Sequence, residues 1–369
     1  MPASMMDLRK QYAGMKEEID AAVLGVLETQ HFRGGPIVEE FERAIAELCG
    51  AQQGIAVSTG TDAILLPIKA LDLEPGDEVI TTPFTFFATA GATVNGGGVP
   101  IFVDIEPDTF NIDTKLIEAQ INERTKAIVA VHIFGQCADM DEILALAKKH
   151  DLVVIEDVAQ SLGARYRGRP AGSMGAAAGT SFYPSKNLGA AGEGGLVVAT
   201  DKALGDKVRL LRSHGAGRTY YHDLVGTNSH LPTIQAAVLQ VKLKYLAGWN
   251  ARRGEIAALY HRLFAEMPEV TRPAVREYND SVWHQYVIRL PRRDEALEFL
   301  KARGIECGVF YPLPLNKQKC FAHLKSAQCA CPVAEQASRE VLALPIHADL
   351  TDEQVHEVVD GIKAFLAGK

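Results

Sequence analysis

Apolar positions recur along the chain at two spacings, and the switches between them lay out its elements. Tyr12, Met15, Ile19, Val23, Val26 and Leu27 fall at helical intervals. They predict a helix that stops at His31-Phe32-Arg33-Gly34-Gly35-Pro36. Val38, Phe41, Ile45 and Leu48 predict a second amphipathic helix. Short β-rich runs follow at Gly54–Val57, Glu78–Thr81, Val99–Val103, Ala127–His132, Leu152–Ile155, Thr180–Tyr183 and Gly195–Ala199. Several are separated by helical stretches, at Ala63–Leu71, Thr114–Gln120 and Met140–His150. Strands alternating with helices predict an α/β fold, a mostly parallel sheet covered on both faces. Past residue 230 the pattern changes. A long helix, Thr233–Arg262, leads to strand-like Trp283–Leu290, a helix at Asp294–Arg303, strand-like Glu306–Tyr311 and a closing helix from Asp352. Lys317–Pro332 reads as loop and short helix. The expected division is a large domain, 1–250, and a small C-terminal α+β domain, 251–369.

Composition narrows the class. With 47% hydrophobic and 23% charged residues over 369 positions, the chain is of ordinary globular type. Its net charge of −8 argues against a general binder of nucleic acid or anionic membrane. No apolar run reaches the roughly 18 residues that span a bilayer, and Met1 to Glu28 lacks the apolar stretch of a signal peptide. Of the six cysteines only Cys329-Ala330-Cys331 are close, and that spacing is too short for a zinc ribbon. Incidental thiols in a reducing cytoplasm, and no metal site, are expected.

Three stretches carry candidate chemistry. Leu152 to Ile155 runs straight into Glu156 and Asp157, and carboxyl ends of parallel strands are where ligands bind. Next, Lys186 lies between a strand and the Gly-rich turn Gly192-Glu193-Gly194-Gly195; burial there would lower its pKa and favour Schiff-base chemistry. Finally, Val57-Ser58-Thr59-Gly60-Thr61-Asp62 is a hydroxyl-rich turn at a helix start, a cradle for phosphate. Each alone has a plain structural explanation: a capping Asp, a loop Lys, a capped helix. In this order they suit pyridoxal 5′-phosphate (PLP), which needs phosphate donors, a carboxylate at its ring nitrogen and a lysine at its aldehyde. Pro83-Phe84-Thr85-Phe86-Phe87-Ala88-Thr89 offers a ring to stack on it.

With these residues in place, the chain resembles the DegT/DnrJ/EryC1/StrS sugar aminotransferases, fold-type I PLP enzymes. The likeness runs from Asp7-Leu8-Arg9-Lys10-Gln11-Tyr12 to Ala343-Leu344-Pro345-Ile346-His347. It takes in Gly76 to Ile80, Val103 to Pro107, Gly135 to Met140, Glu156 to Ser161, Ser181 to Gly189 and Tyr311-Pro312-Leu313-Pro314. The resemblance implies that Lys186 is the Schiff-base lysine and proton carrier, Asp157 the partner of the ring nitrogen, and Gln160 that of the ring hydroxyl. It implies a phosphate cradle of Thr61, Asp62 (through its N–H) and Ser181, with Phe86, or else Phe87, as the stacking ring. Asn228 corresponds to a residue that reaches the neighbouring subunit's phosphate, which implies a homodimer with shared sites.

Two positions depart from the family pattern. His230 stands where relatives carry Arg in Asn-Ser-Arg-Leu-Asp, and Phe310 replaces the His of His-Tyr-Pro, although Tyr311 is kept. Both belong to the substrate half, as does Arg33 on the N-terminal loop. The implied reaction is transfer of an amino group from L-glutamate, giving 2-oxoglutarate, to a keto group of a sugar nucleotide, with pyridoxamine 5′-phosphate as the intermediate cofactor form. The nearest likeness is to enzymes acting on UDP-linked 3-keto N-acetyl sugars or their uronic acids. The alternatives are a family member acting on a non-nucleotide keto substrate, a non-catalytic PLP-binding regulator, and a plain nucleotide-sugar binder. Dehydratases of the family replace the lysine by His, and Lys186 argues against them. Lys207 to His222 holds Lys207, Arg209, Arg212 and Arg218 with no acid, and is expected to supply a local positive field for the anionic ligands.

Overall fold

The computed structural model describes residues 3–368. Seven strands form its main sheet: β1 (Gln53–Val57), β2 (Glu78–Thr81), β3 (Val99–Phe102), β4 (Thr125–Val131), β5 (Val153–Asp157), β6 (Ala177–Ser181) and β7 (Gly195–Ala199). Their spatial order is β1-β7-β6-β5-β4-β2-β3. All neighbours are parallel except that β7 runs antiparallel to both β1 and β6. The central strands are apolar on both faces because helices cover both; Ile128, Val129 and Ala130 of β4 are all fully buried.

The opening helical pattern is realised as two helices, α1 (Leu8–Ala13) and α2 (Lys16–Thr29), broken at Gly14 and Met15. Then come α3 (Pro36–Leu48), α4 (Gly60–Lys69), α5 (Phe87–Asn95), α6 (Met140–His150), α7 (Lys202–Leu211) and α8 (Thr233–Leu263). Helix α5 was not legible in the sequence: in Phe-Ala-Thr-Ala-Gly-Ala-Thr-Val-Asn the three Ala are offset by Thr, Gly, Val and Asn, and burial of Thr89 to Thr93 holds it. Thr114–Gln120 forms two 3₁₀ turns rather than an α-helix.

Strand β8 (Tyr286–Arg289) pairs antiparallel with β9 (Val341–Leu344), flanked by α9 (Arg293–Lys301), α10 (Pro332–Glu340) and α11 (Asp352–Leu366). The strand expected at Glu306–Tyr311 is absent; only Gly308 makes a bridge, to Ala343. The following Pro312 and Pro314 lack the N–H groups a ladder needs. Helix α8 sends Leu239 and Leu246 into the core under the main sheet, and Ile256 and Tyr260 into a second core with Tyr286, Leu342 and Ile362. We propose the domain division at residue 250 on this basis, within α8. A third apolar cluster joins Phe84 and Phe134 to Val287, Phe321 and Val341.

Two glycines set how close α4 comes to the sheet. A Cβ at Gly195 would lie 2.2 Å from the Thr59 carbonyl oxygen, and one at Gly60 would lie 2.4 Å from the Ser181 Cβ. Without side chains at both positions, the N-terminus of α4 rests directly on the ends of β6 and β7.

Candidate functional site

Asp157 ends β5, level with Val131 of β4 and Gly179 of β6, at the carboxyl edge of the sheet. It is buried, with both oxygens held: Ala159 N–H donates to Oδ1 at 3.1 Å and Thr89 Oγ1 to Oδ2 at 2.8 Å. The Thr89 hydroxyl lies 3.2 Å from that of Thr85, so Thr85 can donate in turn. Glu156 points to the opposite face, as strand alternation requires. It is bound by His132 Nε2 at 2.9 Å and by the N–H groups of Gly172, Met174 and Gly175. Burial works against its ionisation, but those donors hold its pKa below the usual value. Of the two carboxylates read together in the sequence, only Asp157 is available to a ligand.

Thr89 was visible only as part of the Phe-rich run, one helical turn after Thr85. Thr89→Val is expected to lower catalytic turnover about tenfold, the worth of a hydrogen bond to a charged group, and Thr89→Ser to restore it. Steady-state kinetics of both variants check this.

Gln160 is buried, its Oε1 accepting from the Phe134 N–H at 2.8 Å and its Nε2 donating to the Tyr311 hydroxyl at 2.9 Å. One Nε2 hydrogen remains free. Burial raises the Tyr311 pKa, so its phenol stays protonated. Phe310 meets the Tyr311 ring edge-on at 6.0 Å. The two phenylalanines offered by the sequence differ in state: Phe87 stacks on Phe321 at 5.5 Å, whereas Phe86 is 58% exposed and bare.

Lys186 follows the turn after β6. Among the described residues its Nζ has no hydrogen-bond or ion-pair partner. Although it keeps some solvent contact, the surrounding protein desolvates it and lowers its pKa to about 8, with Asp157 opposing the shift. The loop is pinned from below: Asn187 Nδ2 donates to Asn250 Oδ1 at 2.8 Å and the Val282 carbonyl at 3.0 Å, and Lys242 donates to the Gly189 carbonyl. Only the uncharged amine attacks an aldehyde. Its fraction grows as pH rises through about 8. Capture of PLP, followed by absorbance after mixing, is therefore expected to quicken about tenfold per pH unit below 8 and to level off above it.

At the start of α4, Thr59 caps the helix by accepting the Asp62 N–H at 3.0 Å. This differs from the expectation that the Asp62 N–H faces phosphate. The Asp62 carboxylate also turns inward, accepting from Ser58, from Thr59 at 3.1 Å and from Ser229 at 2.9 Å. The N–H groups of Gly60 and Thr61, orphaned by the helix geometry, are left for a ligand, beside exposed Thr61 and half-buried Ser181. Through Ser229 the same turn anchors the segment that carries exposed Asn228 and half-buried His230.

His230 Nε2 lies 2.6 Å from Arg33 Nη2 and 3.1 Å from Ser213 Oγ. Burial, then Arg212 and Arg33, lower its pKa to about 4, so it is neutral at pH 7 and accepts from Arg33. The pair lines a cavity of about 230 Å³ with Val38, Arg209 and Arg212, and makes no contact within this chain with Lys186 or Asp157. The positive field expected from Lys207 to His222 is partly cancelled, since two acids face its four cations. Arg212 and Arg209 hold Glu42 at 2.6 and 3.2 Å, Lys207 pairs with Asp72, and Arg218 covers the Tyr221 ring. Their acids, Glu42 and Asp72, lie far back in the sequence, which is why the stretch looked unopposed.

The sheet order, and the edge at which Lys186, Asp157 and the α4 turn meet, place the molecule among α/β enzymes of the aminotransferase type. Comparison with known proteins narrows this: the chain belongs to the DegT/DnrJ/EryC1/StrS aminotransferase family, whose model matches residues 13–363. The family is PLP-dependent. A Geobacillus stearothermophilus protein called pleiotropic regulatory protein is 46% identical over 367 residues, 99% of each chain. The UDP-N-acetyl-3-dehydro-alpha-D-glucosamine 3-aminotransferase of Acidithiobacillus ferrooxidans is 42% identical, covering 99% of this chain and 98% of its own. Among solved structures, S. venezuelae DesV superimposes with a TM-score of 0.95 at 39% identity, over 99% of this chain and 98% of that one.

Proposed function

We propose that this chain binds PLP and moves an amino group from L-glutamate to the keto group of a nucleotide-activated sugar, a UDP-linked 3-keto N-acetyl sugar foremost. The observation that carries the reading is Lys186: an unpartnered amine with a pKa near 8, within electrostatic reach of a buried carboxylate at the sheet edge. The surrounding residues fit the cofactor. The Gly60 and Thr61 N–H groups, with the Thr61 and Ser181 hydroxyls, would hold its phosphate, and Phe86 would cover its ring. Asp157 would accept a hydrogen bond from the protonated ring nitrogen, and the free Nε2 hydrogen of Gln160 would meet the ring hydroxyl.

When bound, PLP supplies an electron sink for the carbon–nitrogen unit at its aldehyde carbon. Lys186 Nζ would take a proton from one carbon and return it to the other, a role its near-neutral pKa suits. Tyr311 holds Gln160 in place by accepting from its amide, and the remaining hydroxyl proton is what we assign to the sugar. Asn228, exposed beside the Ser229 anchor, is the residue we assign to the phosphate of a second subunit in a homodimer. Arg33 would supply beside His230 the guanidinium that relatives carry at that position. The setting we assign is the cytoplasm, on the scattered spacing of the cysteines in the sequence. No helix among the described residues is long and apolar enough to cross a membrane.

A purely regulatory role has in its favour the name of the Geobacillus relative. Such a regulator would use Lys186 and Asp157 to hold PLP, and it differs in that glutamate would not convert the bound cofactor. The test is production of 2-oxoglutarate from glutamate, followed across UDP- and dTDP-linked 3-keto sugars. Turnover with one of them supports the reading; turnover with none, in protein that has taken up PLP, removes the sugar assignment.

A further inference from the structure

The aminotransferase reading leaves one reactive pair unused. Cys329 and Cys331 flank Ala330 in the turn that enters α10, and their sulfurs lie 3.6 Å apart. Cys329 is half-buried and reachable from solvent, while Cys331 is buried behind it. Asn316 Nδ2 donates to the Cys329 carbonyl at 3.1 Å and approaches its sulfur at 3.8 Å. The hydrogen bond between the two thiols lowers the Cys329 pKa, and Asn316 and Lys317 act in the same direction; Cys331 is raised in turn. One sulfur is thus disposed to be thiolate and the other thiol. No other cysteine shares this setting. Cys49 and Cys307 are pushed up to about 12 by burial, Cys137 is buried and raised, and Cys320 is exposed.

An accessible thiolate backed by a second thiol is the arrangement of a redox-responsive cysteine with its resolving partner. We propose that Cys329 and Cys331 form a reversible dithiol–disulfide switch, closed by a hydroperoxide and reopened by a dithiol reductant. In the first step the Cys329 thiolate attacks a peroxide oxygen. The O–O bond breaks, and with hydrogen peroxide a sulfenic acid and one water result once a proton is taken up. Cys331 sulfur then attacks Cys329 sulfur, the S–O bond breaks, and a second water leaves with the Cys331 proton. Two thiols lose two electrons and two protons, and the peroxide becomes two waters.

Closure brings the sulfurs to about 2 Å and takes from Asn316 the thiolate it approaches. The neighbouring Leu315 N–H donates to the Pro83 carbonyl at 2.8 Å, and Phe321 stacks on Phe87. Both contacts bear on the segment that carries Phe86 and Thr89, so the switch adjoins the site without belonging to it.

The whole protein, treated with hydrogen peroxide, alkylated, digested with trypsin and weighed, tests this. The 326–339 peptide holds no other cysteine. It is expected to escape alkylation, to be about 2 Da lighter than the reduced form, and to recover after dithiothreitol, while Cys320 remains alkylated. In Cys331→Ser, Cys329 is expected to stop at the sulfenic acid and be trapped by dimedone. Alkylation of both thiols to the same extent as Cys320 after peroxide would overturn the proposal. So would oxidation of Cys329 that proceeds identically with and without Cys331. Cys329→Ser, at the more exposed position, serves if Cys331→Ser does not fold, since it must leave Cys331 unreactive.

Discussion

Lys186→Ala is expected to lower turnover with L-glutamate by about a thousandfold or more, roughly 4 kcal/mol of transition-state stabilisation. The substitution removes both the amine that would hold PLP and the base that would move the proton. Stability should change little. The Nζ has no partner to lose, and removing a partly desolvated cation relieves a cost rather than adding one. Circular dichroism and thermal melting on the variant, beside steady-state kinetics, separate the two effects. Turnover near the wild-type rate in Lys186→Ala would show that another group does this chemistry.

The second large effect is expected at Asp157. In Asp157→Asn the side chain keeps its size: the Ala159 N–H still finds Oδ1, and the Thr89 hydroxyl can turn to accept from the amide nitrogen that takes the place of Oδ2. What is lost is the negative charge that keeps a ring nitrogen protonated. Turnover is expected to fall about a hundredfold or more, with cofactor affinity weakened less. Titration with PLP, followed by absorbance, reports the affinity, and single-turnover kinetics report the chemistry. Equal losses in Asp157→Asn and Thr89→Val would mean that Asp157 acts through its hydrogen bonds alone. The charge itself would then be idle.

The sequence disclosed the cofactor half of this site more fully than the substrate half, for a physical reason. Lys186, Asp157 and the turn at Thr61 each sit where a strand meets a turn or helix, and the switch of hydrophobic period marks such junctions. Their bonding partners carry no such mark. Thr89 lies on a helix of weak helical propensity, and the Gln160–Tyr311 bond joins residues 151 positions apart. The Asp62 N–H was assigned to phosphate by the family resemblance, whereas in the folded chain it is taken by the Thr59 cap. The basic run from Lys207 looked free because Glu42, which pairs with two of its arginines, belongs to α3. The cysteine pair looked incidental because the sulfur separation and the Asn316 amide are facts of the folded turn. In the C-terminal part, Val341-Leu342-Ala343-Leu344 has neither alternation nor turn signals, so a buried strand could not be told from a helix end.

The central claim is that Lys186, Asp157 and their neighbours form a working aminotransferase site. Its most direct test is the absorption spectrum of the purified protein loaded with PLP, recorded before and after L-glutamate alone. The expected result is loss of the long-wavelength band of lysine-bound cofactor, a rise at shorter wavelength from pyridoxamine 5′-phosphate, one equivalent of 2-oxoglutarate, and reversal when 2-oxoglutarate is added in excess. A loaded protein whose band glutamate leaves unchanged, or a protein that takes up no PLP, would contradict the account.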